Sequence, residues 1–563
     1  LEGYHSLIDL GSLPDSVGVF LNTDTGLDTN DGTFSSPVLT LEKAISVGFS
    51  DRKQAISLVI NCSGSANLDI GKTTHLPHVD KILDLTQASN KFSFVKIVGS
   101  RSNVLAIPAA GSTVSFQSGG PRKTGSQFIT LTYSGGETNP TTYTQAGFVH
   151  QSGSKNISNF YSVNGGTSGA NTLDLVANDT GIEASGFTVF TLNGPKIITE
   201  NSITVLSTVP VYFENLEIQS GTGSNKHWVN ETGHVIQFYN CHIISDTTQG
   251  MLDAGKWNLQ GCFLSQSGHL LCTTKAIING ENSYFINNVK LYEECTFRTC
   301  LFESQFTKLS SVSGNFEKSW FKNDQNIDRY GANLELLACT CHISNCKFSN
   351  LSDEEISCCI HSIASTVYTE NLETFRDLTV GNIQTNAIKL ETTSVNFSKD
   401  IIVVNNAGSS TGFCITATNS NITLGSSDSA LMTVFGTTGN TINLDMSELL
   451  VHYCPVATSD VITGGVNCIV GTDSKITLPK NASGPLQFDS SQTAISLHNS
   501  KLIVQSVDGL GYVNQQGTKN IMKMDNVGPL TTASDAKLTL AGMNAFYPYY
   551  QNSGMGASNL YVY

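Results

Sequence analysis

Glu293 and Glu317 each fill the second position of a six-residue phrase, YEECTF at 292–297 and FEKSWF at 316–321, 24 residues apart. If such phrases lie on neighbouring strands, the two carboxylates stack about one strand spacing (~4.8 Å) apart. Two carboxylates that close cannot both ionise freely, so one is kept as an acid and the other as its charged partner. Trp320 adds a flat apolar surface on which a sugar ring can lie. His242 in FYNCHI (238–243) and Lys347 in ISNCKF (343–348) fill the same fifth position as Trp320, and Asp324 and Asp328 follow in KNDQNIDRY. Together these residues describe a polysaccharide site with Glu293 and Glu317 as the catalytic pair, at a spacing that suits a retaining mechanism. The competing reading is plain surface. Any exposed sheet face needs polar residues, and Glu294 with Lys318 makes an ordinary cross-strand ion pair.

Two other clusters have metal-ligand chemistry. Asp24, Asp28 and Asp31, with Asn30, crowd ahead of Gly32. A calcium loop of the helix–loop–helix kind needs oxygen ligands at alternate positions, where Thr29 and Leu27 stand instead, so only a looser site remains open. Side-chain-to-backbone turns explain the same residues without an ion. Among fourteen cysteines, Cys241, Cys262, Cys295 and Cys346 share one position of the phrase, which predicts a column of small buried side chains. CTCHISNC (339–346) carries zinc-type ligands, yet on a strand Cys341 and His342 face opposite ways and no second pair follows. Structural thiols are therefore the expectation, in keeping with assembly in a reducing cytoplasm. No metal is expected beyond the Asp24, Asp28, Asp31 alternative, and no cofactor.

The elements that must position these residues are repeats. FENLEI (213–218), FYNCHI, LQGCFL (259–264), YEECTF, FEKSWF, ISNCKF and FRDLTV (375–380) give way to NSNITL (419–424), MSELLV (446–451), DSKITL (473–478), NSKLIV (499–504) and DAKLTL (535–540). Each joins a turn residue, usually Asn, Asp or Gly, to a small residue and then to strand-like alternation. Steps between copies run from 21 to 36 residues, with one of 42 that hides a degenerate copy near 397–402 (FSKDII). A period in the twenties with alternation of two is the mark of a β-solenoid, each unit one coil. The 14% charged content, 50 Gly and net charge of −15 agree with a turn-rich β protein and argue against nucleic acid as partner. No stretch is apolar for long enough to insert in a membrane, and residues 1–20 do not read as a signal peptide.

VFLNTDTGLDTNDGTFSSPVLTLEKAI (19–45) reads as a strand, a turn and a short amphipathic helix with Leu39, Leu41, Ala44 and Ile45 on its buried side. That helix would cap the first coil. With this opening and the repeats over roughly 19–540, the chain resembles right-handed parallel β-helix proteins of the pectate-lyase-like kind, which include bacteriophage tailspikes and fibres. The resemblance implies an all-β fold with an N-terminal segment (1–50), a β-helix (51–540, irregular over 108–200) and an aromatic cap or oligomerisation segment (541–563). Handedness comes from the resemblance alone. The polygalacturonase-type motifs are incomplete, with N-T-D only at 22–24, and the W-x-D-H element of pectate lyases is missing. The implied function is a viral fibre or spike protein, a homotrimer that joins other virion proteins and attaches to a host-surface glycan or receptor. Its alternatives are a tailspike-like polysaccharide depolymerase, an architectural capsid decoration protein and a secreted surface protein.

Overall fold

The computed structural model describes residues 16–50, 55–68, 70, 72–73, 81–107, 114–118, 128–133, 147–151, 160–165, 172–176, 187–192, 194–199, 202–220, 228–244, 252–265, 269–271, 276–285, 288–302, 307–323, 332–350, 358–376, 386–405, 413–425, 432–436, 440–452, 460–464, 467–478, 486–490, 493–504, 513–514, 522–525, 531–532 and 549–550. The chain divides into two compact units, Leu1–Pro121 with Ser126–Leu301, and Arg122–Gly125 with Phe302–Tyr563. Each is built from short parallel strands on three faces of a coil, so the fold is an all-β parallel β-helix.

Unit 1 opens with strand Ser16–Asn22, which pairs in parallel with Ser57–Ser63. The only helix among the described residues longer than one or two turns, Leu41–Ser50, lies between them in sequence. Thr40 starts it, accepting the Lys43 amide on its hydroxyl at 3.2 Å. Leu41 and Ala44 are fully buried, and a Cβ on Gly48 would meet Leu58 at 2.4 Å, so the helix lies directly on the strand. The expected buried side is narrower than the sequence suggested. Leu39 precedes the helix and is exposed, and Ile45 is half-buried, because the cap at Thr40 fixes the helix phase one residue away from Leu39.

In unit 1, face one includes Val211–Glu214, Val235–Tyr239, Gly255–Gln260, Ala276–Glu281 and Cys295–Arg298, paired in register. Face two carries Lys196–Thr199, Glu217–Ser220, His242–Ile244, Phe263–Ser265 and Tyr284–Phe285. Face three carries Lys81–Leu85, Ile203–Ser207, Trp228–Asn230 and Leu252–Asp253. Between Gly99 and Gly194 the chain leaves the coil and forms a seven-stranded antiparallel sheet, from Arg101–Ile107 to Phe187–Leu192. It returns where a Cβ on Gly194 would sit 3.0 Å from the Gly99 backbone, so the excursion closes on itself without disturbing the coil.

Unit 2 has the same plan with more regular coils. Its face-one strands begin with Ser313–Glu317 and Thr340–Ser344, its face-two strands with Trp320–Asn323 and Lys347–Asn350, and its face-three strands with Thr307–Ser310 and Leu334–Leu337. Strands Thr366–Arg376 and Ser394–Asn405 run continuously from face one through the corner into face two. Phe302, Phe321 and Phe348 stack inside with centroids 4.6 Å apart, close to the coil rise of about 4.8 Å.

The repeated phrase turns out to mark two different corners. Between faces one and two, Asn215, Asn240, Gly261, Asn282 and Thr299 in unit 1, and Lys318, Asn345, Asn371 and Lys399 in unit 2, have positive φ. Between faces three and one, Ser311, Ala338, Ala364, Thr392, Asn419, Met446, Asp473 and Asn499 do the same. The copy expected at 397–402 is present, with Lys399 as its left-handed residue at φ 59°. FRDLTV is mostly outside the described residues, and the matching corner is Asn371. YEECTF belongs to the second corner, so Cys295 does not share a column with Cys241 and Cys262. It opens a face-one strand opposite Ile278, and Cys300 follows Thr299 at the first corner.

At most corners the residue after the left-handed position is Cys, Ser or Thr, which can satisfy backbone groups freed by the bend. Its hydroxyl or thiol donates to the carbonyl two residues back, as in Cys241 to Tyr239 (3.4 Å) and Ser420 to Thr418 (2.8 Å). In unit 2 the hydroxyl also accepts the amide of the preceding coil, along Thr393, Ser420, Ser447, Ser474 and Ser500. Every cysteine among the described residues is a buried free thiol, and burial pushes Cys62 and Cys346 up to about 12.

Candidate functional site

The carboxylates singled out from sequence lie at different corners. Glu293 sits in the turn between Asn288–Leu291 and Cys295–Arg298, which leads onto face one. Glu317 ends face-one strand Ser313–Glu317, just before the corner onto face two, and its register partner is Ser344. The stacked pair therefore does not follow from the repeat. Trp320 opens a face-two strand, half-buried, opposite Lys347, whose ammonium stands 3.6 Å from Glu373. His242 is 3% exposed, its ring tilted against Phe263 with centroids 5.0 Å apart and its Nδ1 3.8 Å from Glu217, so it is closed to a ligand. Asp324 and Asp328 lie outside the described residues.

The acidic loop is a set of turns. Asp24 accepts the Ser65 and Ala66 amides at 2.7 and 3.0 Å. Asp28 accepts the Leu39 and Thr40 amides at 3.1 and 3.0 Å and the Thr40 hydroxyl at 3.0 Å. Asp31 accepts the Thr33 amide and hydroxyl at 3.1 and 2.9 Å. The Ser65 amide holds the Asp24 carboxyl below its usual range, and the Thr33 amide does the same for Asp31. The three carboxylates serve three separate turns, and no group of three metal-ligating side chains occurs among the described residues.

What unit 2 does assemble is an open sheet surface on face one. Four strands contribute: Ser313–Glu317, Thr340–Ser344 and the first halves of Thr366–Arg376 and Ser394–Asn405. Their outward residues form three columns: Ser313, Thr340, Thr366 and Ser394; Asn315, His342, Tyr368 and Asn396; Glu317, Ser344, Glu370 and Ser398. Steps are about 4.8 Å along a column and about 6.6 Å between columns. Inward residues such as Phe316, Cys341, Ile343, Val367 and Phe397 are buried and fix the face.

Down the middle column, the His342 and Tyr368 rings stack at 4.8 Å and 16°, and Tyr368 is 43% exposed. Exposed Asn315 and Asn396, with shorter side chains, stand at the two ends of this stack. The outer face of each ring is thus a step with an amide at its foot. Lys399 pairs with Glu370 at 2.7 Å, Lys318 is 3.9 Å from Glu317, and the Asn371 amide donates to Asn345 at 2.8 Å. Tyr368 and Glu370 were missed from sequence, although a signal exists: ENL at 370–372 repeats ENL at 214–216. The FRDLTV phrase drew the alignment to the wrong segment.

No family model matches the chain, and no curated protein matches it. Similar solved structures include the tailspike gp61 of Pseudomonas phage phi297, at 11% identity over 90% of this chain and 74% of that one, TM-score 0.19. The Gp54 tailspike of Acinetobacter baumannii bacteriophage AP22, in complex with A. baumannii capsular saccharide, matches at 9% identity over 84% and 74%, TM-score 0.21. The tailspike gp49 from Pseudomonas phage LKA1 matches at 10% over 87% and 72%, TM-score 0.18. All three are phage tailspikes. The fold assignment rests on the strand register of this chain itself. No helix among the described residues is long and apolar enough to cross a membrane.

Proposed function

We propose that this protein is a viral fibre or spike component that attaches to a host-surface glycan through face one of unit 2. The observation that carries this reading is the exposed His342–Tyr368 stack with Asn315 and Asn396 at its ends. A pyranose presents an apolar C–H face and a rim of hydroxyls. The ring steps offer the first a flat apolar partner, and the flanking amides and the hydroxyls of Thr366, Ser394 and Ser344 offer the second hydrogen bonds. The rigid, repetitive scaffold holds these groups without ordering cost at binding. A place on the virion, association with other virion proteins and a homotrimeric state belong to the same proposal and are supported by the resemblance of the opening segment and repeats.

The test is binding of labelled full-length protein to host cells and their isolated surface polysaccharide. Tyr368→Ala should weaken binding at least about tenfold, the scale of one aromatic anchor, with an unchanged far-ultraviolet spectrum. Undiminished binding would remove the face from consideration, and no binding by the wild type would favour an architectural role. A depolymerase reading has one observation in its favour. Glu317 and Glu370 share a column two coils apart, and backbone positions about 9.5 Å apart allow their side chains to bring the carboxylates to the spacing of inverting glycosidases. Release of reducing ends, lost in Glu317→Gln, would establish it.

A further inference from the structure

The charge distribution over face one of unit 2 says which glycans fit it; this inference rests on reading that face as the saccharide site. Of the twelve outward residues from Ser313 to Ser398, Glu317 and Glu370 alone carry a formal charge, and both are carboxylates. The others are Ser, Thr, Asn, His or Tyr, all of which hydrogen-bond. The ammonium groups at its edge stand against carboxylates: Lys318 by Glu317, Lys399 by Glu370 and Lys347 by Glu373. Apart from Glu370 beside Tyr368 and Glu317 beside Asn315, both ring steps are bordered by Asn, Ser and Thr.

Among the described outward residues of these four strands, a uronate, sialate or phosphate arriving on either step would find no cation to receive it. It would also approach Glu317 and Glu370, and the net charge of −15 adds a longer-range penalty. An uncharged ring loses nothing on this face, because its hydroxyls and N-acetyl groups exchange water for amide and hydroxyl partners. We infer that the ligand is a glycan segment free of acidic groups, seated on the Tyr368 and His342 steps.

An array of immobilised oligosaccharides, sorted into acid-free chains and chains bearing uronate, sialate or phosphate, tests this with the full-length protein. Binding should be confined to the acid-free group and change less than about twofold between roughly 50 and 500 mM salt, because no ion pair with the ligand is being screened. The signal should vanish in Tyr368→Ala. Thr340→Lys, which sets an ammonium beside His342 on an exposed outward position whose register partners are Ser313 and Thr366, should shift preference toward acidic chains about fivefold or more. Wild-type binding that favours acidic chains and collapses in salt overturns the charge inference while glycan attachment stands. Acid-free binding that survives Tyr368→Ala overturns it as well, by placing the site elsewhere. Binding to nothing on the array overturns both readings.

Discussion

Ser447 in the hydroxyl ladder of unit 2 allows the corner chemistry to be tested at one atom. Its Oγ donates to the Asp445 carbonyl at 2.7 Å and accepts the Ser420 amide at 3.0 Å, in a buried position. Ser447→Ala removes both bonds with unequal consequences. The Asp445 carbonyl keeps a partner, because the Asn419 amide reaches it at 2.9 Å. The Ser420 amide loses its acceptor inside the coil. One net hydrogen bond is worth about 1 kcal/mol and an orphaned buried amide costs about 1–3 kcal/mol, so the total is roughly 2–4 kcal/mol. Ser447→Cys should cost about 1 kcal/mol or less, since thiols already do this job. The Sγ of Cys346 donates to Ser344 at 3.3 Å and receives the Ser319 amide. Hydrogen exchange of a peptide spanning 413–425 reads the effect locally. Exchange of the Ser420 amide should accelerate about 30-fold or more in Ser447→Ala, the equivalent of 2 kcal/mol, and only slightly in Ser447→Cys. Equal exchange in the two variants, or no change in Ser447→Ala, would refute the account of the corner.

Other expectations follow from single residues. Met446 is 56% exposed at φ 48°, and Thr392 is β-branched at φ 51°, so Met446→Gly or Thr392→Asn should raise stability by up to about 1 kcal/mol, measured as a higher thermal midpoint. Burial, with Lys389 beside it, holds the His361 imidazolium below its usual pKa against the pull of Glu391 and Glu335. The unfolded chain then binds the extra proton first. Stability is complete above the ordinary histidine pKa of about 6.5 and falls as pH drops below it, levelling off once the lower folded value is passed. His361→Gln should shrink the loss of thermal midpoint between about pH 7.5 and pH 5.5. A chelator should leave the thermal midpoint unchanged, whereas Asp28→Ala should speed amide exchange in Leu41–Ser50 by releasing Thr40, the residue that starts the helix.

The coils themselves were legible because their cause is local. A left-handed Asn, Asp or Gly, a small residue that answers the bent backbone, and alternating apolar residues are all neighbours in sequence, and phrases such as FYNCHI and DSKITL show them directly. The same locality made the two corners indistinguishable. Asn345 and Asn419 turn the chain by the same chemistry, one onto face two and the other onto face one. Corners built on Thr299 or Ala338 carry no turn residue to read, so they were passed over and Glu293 was aligned with Glu317. The acidic loop had the reverse difficulty. Asp24, Asp28 and Asp31 looked like one cluster, yet their partners Ser65, Thr40 and Thr33 send them in three directions.

From sequence alone came the all-β solenoid, its buried thiols and its helix laid on the first coil, since each depends on periodicity and on side-chain size at fixed local positions. Only the tertiary structure decided which residues share a face. That depends on register, and a coil of 26 rather than 28 residues still brings its strand into line, with the difference absorbed between strands. His342 and Tyr368 are 26 residues apart and meet at 4.8 Å because Cys341 and Val367 are both buried beneath them in paired strands. A local pattern such as ENL at 370–372 marks the corner, but not which residues meet across coils. That pair exists because stacking coils converts equal places in the turn into contact.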